Sequence, residues 1–428
     1  MGFGNLGRSV SIIGVGYTPQ GDVLKTPEIK DFTEKELFAM ASIEAMVDAG
    51  VEAKDIDAFY VGQVGAPIFG QMIGGAPQYA DWIGMRNKSS MTHDEGCATT
   101  NTGLQLAVMA VASGAHDMVL SGGTGIQQSV YEKGHLPFER HKREDLWLQM
   151  NCNANDHAYL YPGVNNLVGL DAEAIAYAKK HNLKLQDVIR AMHDASITCK
   201  KHGVTNPKAT FATETYEETA KALGFASVYD FLNSDEHNPR IAGVQRASHV
   251  SPVADGASAL IVCATDIARK IHKKPIEVIG MGATSVGGHQ FVDTPVPGHK
   301  IAIDQAYKMA GINDPYNEIE YMAIHDAAAN NYFTLGEMAG YFKSGEGWKA
   351  VMEGETLYSG RKPMNTTGGR LACGHPLGGA CGIEIAEAVY QMRGENGPRQ
   401  MAKPPKTTLI EGLGGGGWTF NATILRSL

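Results

Sequence analysis

Two segments of the chain contain residue types that could perform covalent chemistry. The first, residues 365–382, reads NTTGGRLACGHPLGGACG and places His375 between Gly374 and Pro376. An apolar stretch with helical character follows, from Ile383 to Met392. Glycines let backbone amides approach a ligand closely, and a histidine exchanges protons near neutral pH. By itself, however, this pattern is more typical of a glycine-rich turn with a buried histidine.

The second segment is DEGCATTNTGLQLAVMAVASG, in which Cys97 precedes apolar residues at helical spacing. The spacing predicts that Cys97 lies at or just before a helix N-terminus. Unpaired N–H groups and the helix dipole at such a position are expected to lower the pKa of the thiol and to stabilise the thiolate. Cys152, Cys199 and Cys263 are interpreted as small buried hydrophobic residues.

Composition restricts the class of protein. The 428 residues are 43% hydrophobic and 19% charged, which is typical of a soluble globular enzyme of two or three domains. The net charge is −9 and the one dense charge run, Glu139–Asp145, is balanced, so no nucleic-acid partner is expected. No signal peptide and no apolar run of about 18 residues is present, which predicts a cytoplasmic protein without a membrane span. The six cysteines form no CxxC pair, so neither a disulfide framework nor a metal site is expected.

The chain also repeats itself loosely. VSIIGVGYT at residues 10–18 is similar to IEVIGMGAT at residues 276–284, and residues 37–62 are similar to residues 301–326. Each long segment reads as an amphipathic helix, a glycine stop, an acidic loop and a strand. The helix after the cysteine then corresponds to the segment after the histidine. Two such halves predict stacked α/β layers with mixed sheets.

Six segments in the same order resemble the thiolase superfamily, and most closely its branch of sterol-carrier-protein thiolases and related lipid-transfer thiolase-like enzymes. They are VSIIGVGYTPQG, EGCATTNTGLQLA, SPVADGASALIV, AIHDAAANNYF, NTTGGRLACGHPLGG and EGLGGGGW. The resemblance runs nearly from end to end. It implies an α/β thiolase fold, in which duplicated halves form a five-layered α-β-α-β-α core with an inserted loop domain.

The resemblance also implies the domain boundaries. Residues 1–126 would form the N-terminal thiolase half, and residues 127–240 the loop domain that covers the pocket. Residues 241–428 would form the C-terminal half, with its strand repeat starting near residue 275. The equivalent helix starts of the two halves would meet at one site, which makes Cys97 and His375 neighbours.

The residue roles follow from the same resemblance. A thiolase cleaves the Cα–Cβ bond of a 3-oxoacyl-coenzyme A, with coenzyme A (CoA) as the second substrate and no bound cofactor. Here Cys97 would be the nucleophile and His375 its base. His325 would help to hold the thioester oxygen, where many thiolases use an asparagine. The amides of Cys97 and Gly414 would form the second oxyanion site.

One departure from the family pattern concerns the second acid/base. Most thiolases carry a second cysteine in a CxG motif, and the matching position here is Gly412. In the sterol-carrier-protein branch the cysteine lies in HDCF instead, and that position here is Ala327. The sequence offers Cys373, Asp326 or His325 as substitutes, and a buried packing role for Cys373 is equally open.

The predicted function is the cleavage of a bulky 3-oxoacyl-CoA, specifically of 2-benzoylsuccinyl-CoA to benzoyl-CoA and succinyl-CoA. One alternative is a thiolase-like C-acyltransferase that acts on an aromatic acceptor, and another is a non-enzymatic protein that binds acyl-CoA or lipid. A retro-aldolase of the steroid-degradation type lacks the nucleophilic cysteine, so Cys97 argues against that activity.

Two protein partners are expected from the family. Thiolases assemble through their core sheets, which predicts a homodimer. Members of this branch often work with a small zinc-ribbon and OB-fold protein. Since this chain has no CxxC pair, such a partner would be a separate small subunit.

Overall fold

The computed structural model describes residues 6–64, 75–126, 162–286, 297–415, 417 and 419–428. The balanced charge run at residues 139–145 and the predicted buried Cys152 lie outside these residues. Within the described ranges, no helix has both the length and the apolar character that a membrane crossing requires.

The described residues form a mixed α/β fold. The strands are β1 (Val10–Tyr17), β2 (Ala58–Gln63), β3 (Ser89–His93), β4 (Met118–Gly125), β5 (Arg240–Ala242), β6 (Gln245–Arg246), β7 (Gly256–Ala264), β8 (Ile276–Ser285), β9 (Tyr321–Ala323), β10 (Thr407–Gly414) and β11 (Thr419–Ser427). The α-helices are α1 (Glu34–Ala49), α2 (Thr99–Ala112), α3 (Pro162–Lys180), α4 (Leu185–Val204), α5 (Tyr216–Ala222), α6 (Val228–Asn233), α7 (Thr265–Ile271), α8 (Pro297–Ala310), α9 (Pro315–Glu318), α10 (Asn331–Met338), α11 (Gly347–Met352), α12 (Gly369–Cys373) and α13 (Ala380–Arg393).

The sheet confirms the internal repeat. Its strand order is β3-β2-β4-β7-β1-β8-β11-β10-β9, so β1, β2, β4 and β7 of the first half match β8, β9, β10 and β11 of the second. The pairing directions match as well. β2 and β4 are parallel, as are β9 and β10, whereas β7 is antiparallel to β1 and β4, and β11 is antiparallel to β8 and β10. The edge strand β3 pairs in parallel with β2. The two halves join through a short ladder in which Ser11 and Ile12 pair with Glu277 and Ile276.

The layers also follow the prediction. Helix α1 packs on β1 and β7 on one outer side, and α8 packs on β8 and β11 on the other. Helices α2 and α13 contact each other and strands of both halves, so they form the central layer. β1 is buried along its whole length because helices cover both of its faces, which explains its continuous apolar sequence.

Matching glycines explain the similarity of the two repeat strands. Gly14 and Gly16 on β1 face α1, and Gly280 and Gly282 on β8 face α8. A Cβ atom on any of them would lie between 1.9 and 2.4 Å from a helix carbonyl oxygen. These strands therefore need glycine so that the outer helices can approach closely.

Helices α3 to α6 lie between β4 and β7 in the chain and belong to the predicted loop domain. Helix α4 packs against α12 and α11, which places this insertion beside the segment that carries His375. The exact boundaries at residues 126 and 240 stay a prediction, and β7, which follows residue 240 in the chain, pairs with β1 and β4 of the first half.

The close approach of β8 and α8 can be tested by substitution. A Cβ on Gly282 would lie 1.9 Å from the Ala302 carbonyl oxygen. We expect Gly282→Ala to lower the free energy of unfolding by about 1–3 kcal/mol, since the helix must move away from the strand. Denaturant unfolding measures the change. Gly256→Ala is the matched control, because its Cβ would meet nothing closer than 3.2 Å. Equal losses for the two variants would contradict this account of the strand glycines.

Candidate active site

Cys97 lies in the 3-10 turn Gly96–Ala98, directly before α2, as the sequence predicted. The turn is fixed by the hydroxyl of Thr99, which accepts a hydrogen bond from the Glu95 amide (2.9 Å) and donates one to the Gly96 carbonyl (2.6 Å). Gly96 has a φ of 57°, and a Cβ there would lie 2.3 Å from the amide nitrogen of Gly415. Glycine therefore allows the turn to contact the loop after β10.

His375 lies between α12 and α13, and both its backbone and its ring are held. Its amide donates to the Pro252 carbonyl (2.8 Å), and its carbonyl accepts from the Ala254 amide (3.3 Å). Its Nδ1 lies 3.3 Å from the hydroxyl of Ser251. A proton on Nδ1 would be donated to this hydroxyl, and Nε2 would then be the acceptor for a substrate or thiol proton.

His325 follows β9 and is held by Glu411 on the neighbouring strand β10. Its amide donates to Glu411 Oε2 (3.1 Å), and the other oxygen of this carboxylate contacts His299 Nδ1 (2.5 Å). The imidazole of His325 is tilted against that of His375, with 4.7 Å between ring centroids. The two histidines therefore share one wall of the site.

The structure brings the three predicted residues together. Cys97 Sγ and one ring nitrogen of each of His325 and His375 all lie within 4.8 Å of one another, and all three side chains are buried. Among the described residues, Nε2 of each histidine finds no hydrogen-bond partner. A buried polar atom normally has a partner, so these nitrogens are available to a substrate.

The ionisation of Cys97 differs from the sequence expectation. Burial raises the pKa of the thiol to about 12, and the negative charge of Asp94 adds to the increase. The amides of Cys97 and Gly415 and the charge of Arg370 lower the pKa of the thiol, but by less. Desolvation thus outweighs the helix-start amides, so the direction of this pKa shift is opposite to the one expected from the sequence.

Burial favours the neutral form of both histidines. Burial lowers the pKa of His325 to about 3, with further contributions from Arg370 and His299. Burial also lowers the pKa of His375 well below its usual value, and the charges of His325 and Arg370 act in the same direction. The site thus holds a neutral thiol beside two neutral imidazoles, and a proton must move when the thiol attacks.

The backbone amides that lower the pKa of the Cys97 thiol are those of Cys97 and Gly415. The predicted oxyanion donor Gly414 precedes Gly415 at the end of β10, opposite Thr419 on β11. A Cβ on Gly414 would lie 1.9 Å from the Glu95 carbonyl oxygen. The β10 end and the cysteine turn therefore touch, and the role of the Gly414 amide stays a prediction.

The two further acid/base candidates have other partners. The thiol of Cys373 donates to the Thr367 carbonyl (3.0 Å), and Asn206 Nδ2 lies 3.7 Å from its sulfur. The carboxylate of Asp326 accepts from the Arg370 amide (2.7 Å), and burial raises its pKa to about 7. These contacts favour packing for Cys373 and capping of α12 for Asp326.

Cys381 lies beside Gly412, the position at which most thiolases carry the second cysteine. Its thiol, in the first turn of α13, donates to the Cys97 carbonyl (3.2 Å). A Cβ on Gly412 would lie 3.1 Å from the Cys381 sulfur and 2.4 Å from Asn421 Oδ1. Burial raises the pKa of Cys381 well above its usual value, so the thiol keeps its proton. The sequence shows a thiol six residues after His375 but does not show that its sulfur comes so close to Gly412.

Comparisons with known proteins show the family of the chain. The family "Thiolase, N-terminal domain" matches residues 10–222, and "Thiolase C-terminal domain-like" matches residues 282–427. The acetyl-CoA acetyltransferase of Methanothermobacter thermautotrophicus is 29% identical over 413 residues, which cover 95% of this chain and 97% of that protein. Human sterol carrier protein 2 is 26% identical, over 96% of this chain and 70% of that protein. The benzoylsuccinyl-CoA thiolase subunit BbsB of Thauera aromatica is 28% identical over 228 residues, 52% of this chain and 54% of that subunit.

Solved structures show the same fold. The Ltp2-ChsH2(DUF35) aldolase superimposes with a TM-score of 0.74 at 22% identity, covering 99% of this chain and 98% of that chain. Human mitochondrial 3-ketoacyl-CoA thiolase superimposes with a TM-score of 0.68 at 20% identity, covering 99% of each chain. The chain therefore belongs to the thiolase family. It is an enzyme of the acyltransferase type that carries out thiolase-type acyl-CoA chemistry, with CoA as a substrate.

The neutral thiol leads to a test of Cys97 reactivity. The rate of alkylation by iodoacetamide should rise about tenfold per pH unit between about pH 6 and about pH 9, because the thiolate fraction rises with pH. Cys97 should still react before Cys199, Cys263, Cys373 and Cys381, since its residue is 8% exposed and theirs are between 0% and 2% exposed. Peptide mapping by mass spectrometry measures both quantities. A rate that is already constant near about pH 7 would indicate a thiolate–imidazolium pair instead.

Proposed function

We propose that the enzyme cleaves a bulky 3-oxoacyl-CoA with CoA through an acyl-enzyme on Cys97. The supporting observation is the convergence of the Cys97 thiol with His325 and His375 within 4.8 Å in a buried site. Nucleophilic catalysis requires a thiol beside a base, and the stabilisation of enolate oxygens requires nearby donors.

In the proposed first half-reaction, His375 Nε2 takes the proton of the Cys97 thiol while the sulfur bonds to the 3-keto carbon. The C2–C3 bond then breaks. This leaves an acyl thioester on Cys97 and the enolate of the departing acyl-CoA, which takes up a proton and leaves. In the second half-reaction the thiol of CoA gives its proton to the site, its sulfur takes the acyl group, and the Cys97 thiol is restored.

The oxyanion roles follow from the donors around the thiol. The neutral imidazole of His325 carries one N–H and can donate it to the thioester oxygen of the departing acyl-CoA. The amides of Cys97 and Gly414 are assigned to the oxygen on the 3-keto carbon. Donors in a water-excluded site stabilise developing charge more strongly than donors in water.

Cys381 is assigned as the second proton carrier, in preference to Cys373 and Asp326. Its sulfur is among the three heavy atoms nearest to a Cβ built on Gly412, the position that lacks the family cysteine. A thiol that keeps its proton in the resting site can donate it to the enolate carbon. The resulting thiolate can then accept the proton of the incoming CoA.

The proposed substrate is 2-benzoylsuccinyl-CoA, which would yield benzoyl-CoA and succinyl-CoA. The partial similarity to the benzoylsuccinyl-CoA thiolase subunit supports this assignment. The absence of both usual acid/base cysteines also separates this site from that of most thiolases.

The proposed assembly is a cytoplasmic homodimer with a separate small zinc-ribbon/OB-fold subunit. β3 lies at one edge of the sheet, and Met91 on it is 45% exposed. An exposed edge strand offers unpaired backbone groups to a second copy. The similar Ltp2-ChsH2(DUF35) aldolase is named for two components, one of them a DUF35 protein, and this similarity supports a second polypeptide here.

The reaction can be tested with a panel of substrates. The protein, purified with any co-purifying subunit, is incubated with CoA and 3-oxoacyl-CoAs, including 2-benzoylsuccinyl-CoA. We expect two acyl-CoA products by mass spectrometry, and none from Cys97→Ala, since this variant lacks the nucleophile. Transfer of an acyl group to an aromatic acceptor, without cleavage of any 3-oxoacyl-CoA, would favour the C-acyltransferase instead.

The histidine roles predict two different losses. His375→Ala should lower the rate of acylation by about 10²–10⁴-fold, because it removes the general base. His325→Ala should lower the rate by about 10²–10³-fold, because it removes one oxyanion donor. Rapid-quench measurement of the acyl-enzyme determines both rates. His237→Ala is a surface control, and the proposal fails if either active-site variant retains the control's rate.

Cys381 and Cys373 form a matched pair of buried thiols for the second acid/base. Cys381→Ala should lower turnover by about 10²-fold or more, as general acid loss typically does, and leave acylation of Cys97 nearly unchanged. Cys373→Ala should change turnover little, since its thiol contacts Thr367 and Asn206. Steady-state and single-turnover rates separate the two steps. A large loss in Cys373→Ala alone would transfer the role to Cys373.

A further inference from the structure

Arg370 is a fully buried cation on α12, and its backbone and side chain contact both histidine turns. Its amide donates to Asp326 Oδ1 (2.7 Å), the residue directly after His325. Its Nη1 donates to the carbonyl of Gly374 (3.2 Å), the residue directly before His375. One residue therefore links the two turns that carry the imidazoles.

The charge of Arg370 is neutralised by Glu384, which lies on α13 in the central layer. Its Nη2 lies 2.5 Å from Glu384 Oε1 on α13, and both side chains are buried. Glu384 is fixed in turn by the hydroxyl of Thr367 (2.8 Å). The ion pair thus connects α12 to α13, and it holds a positive charge within electrostatic reach of Cys97, His325 and His375.

We propose that Arg370 is a positioning residue, which holds the His325 and His375 turns together and whose buried charge stabilises the thiolate of Cys97 as its proton leaves. In low dielectric, a single fixed charge acts over several ångströms with little screening. The inference deepens the proposed function, since it assumes that Cys97 is the nucleophile.

Other ionisable groups share this region, and each variant below changes one group and leaves the others as they are. Those that face the thiol and the histidines are Asp94, Cys381, His299 and Glu411, and those that face Arg370 are Glu384, Asp326 and Cys373. Any difference between two variants therefore reports the substituted charge and its contacts.

Arg399 provides a matched control. It is a second buried arginine, and its Nη2 lies 3.1 Å from Glu387 Oε2 on the same helix as Glu384. Its Nη2 also donates to Asn396 (3.0 Å), and its Nη1 donates to the Thr205 carbonyl (3.2 Å), so its hydrogen bonds are directed away from the two histidine turns. Removing either arginine breaks a buried ion pair on α13, but only Arg370 reaches the histidine turns.

The test measures the rate of Cys97 alkylation by iodoacetamide at fixed pH, together with the thermal midpoint of each intact variant. We expect Arg370→Met to slow alkylation about tenfold or more, which corresponds to an increase of about one unit in the thiol pKa. Arg370→Lys should recover most of the rate, because it restores the charge. Arg399→Met should lower the thermal midpoint similarly but leave the alkylation rate within about twofold of the native rate.

Glu384→Gln separates charge from structure, because it removes the counter-charge and keeps the shape. It should accelerate Cys97 alkylation, whereas a purely structural role for the ion pair predicts slower alkylation in both Arg370→Met and Glu384→Gln. Equal effects of Arg370→Met and Arg399→Met would also overturn the proposal. The assay needs no substrate, so its outcome is independent of whether the enzyme cleaves the proposed acyl-CoA.

Discussion

The removal of Cys97, His325 and His375 from water is the constraint on which the rest of the site depends. Burial favours the neutral form of each group, so it raises the pKa of the thiol and lowers the pKa of both imidazoles. Burial therefore disfavours a thiolate–imidazolium pair in the resting site. Its surroundings must instead stabilise charge as it develops during attack. The amides beside the sulfur and the buried cation of Arg370 are placed to do this, and they act strongly because water is excluded.

The duplicated fold explains how residues so distant in sequence meet. Helices α2 and α13 are equivalent elements of the two halves and form the central layer, so the turns that precede them meet in one place. Cys97 lies in one turn and His375 in the other. The outer helices contribute indirectly, because glycines on β1 and β8 allow α1 and α8 to approach and keep both halves compact.

Much of this architecture could be predicted from the sequence. The repeat of VSIIGVGYT in IEVIGMGAT predicted the equivalence of β1 and β8, and the spacing after Cys97 predicted the start of α2. The sequence could not show the ladder that joins the two half-sheets. Ser11, Ile12 and their partners carry no pairing signal, and long-range register depends on how the helices pack.

The site was less predictable than the fold. Motif positions indicated which residues converge, but the ionisation of Cys97 depends on desolvation, which no local pattern records. The same limit applies to Arg370, whose contacts with Gly374 and Asp326 require the folded turns. Cys381 was visible only as a small residue in a helix, because its distance from Gly412 depends on the packing of α13 against β10.

The ionisation state of Cys97 tests the account most directly. Thiolates absorb in the ultraviolet where thiols do not, so the difference in absorbance between the native protein and Cys97→Ala isolates this group. The account predicts no difference attributable to a thiolate from about pH 6 to about pH 9, because burial keeps the thiol protonated. A full thiolate signal at about pH 7, lost in His375→Ala, would show a preformed ion pair and contradict it.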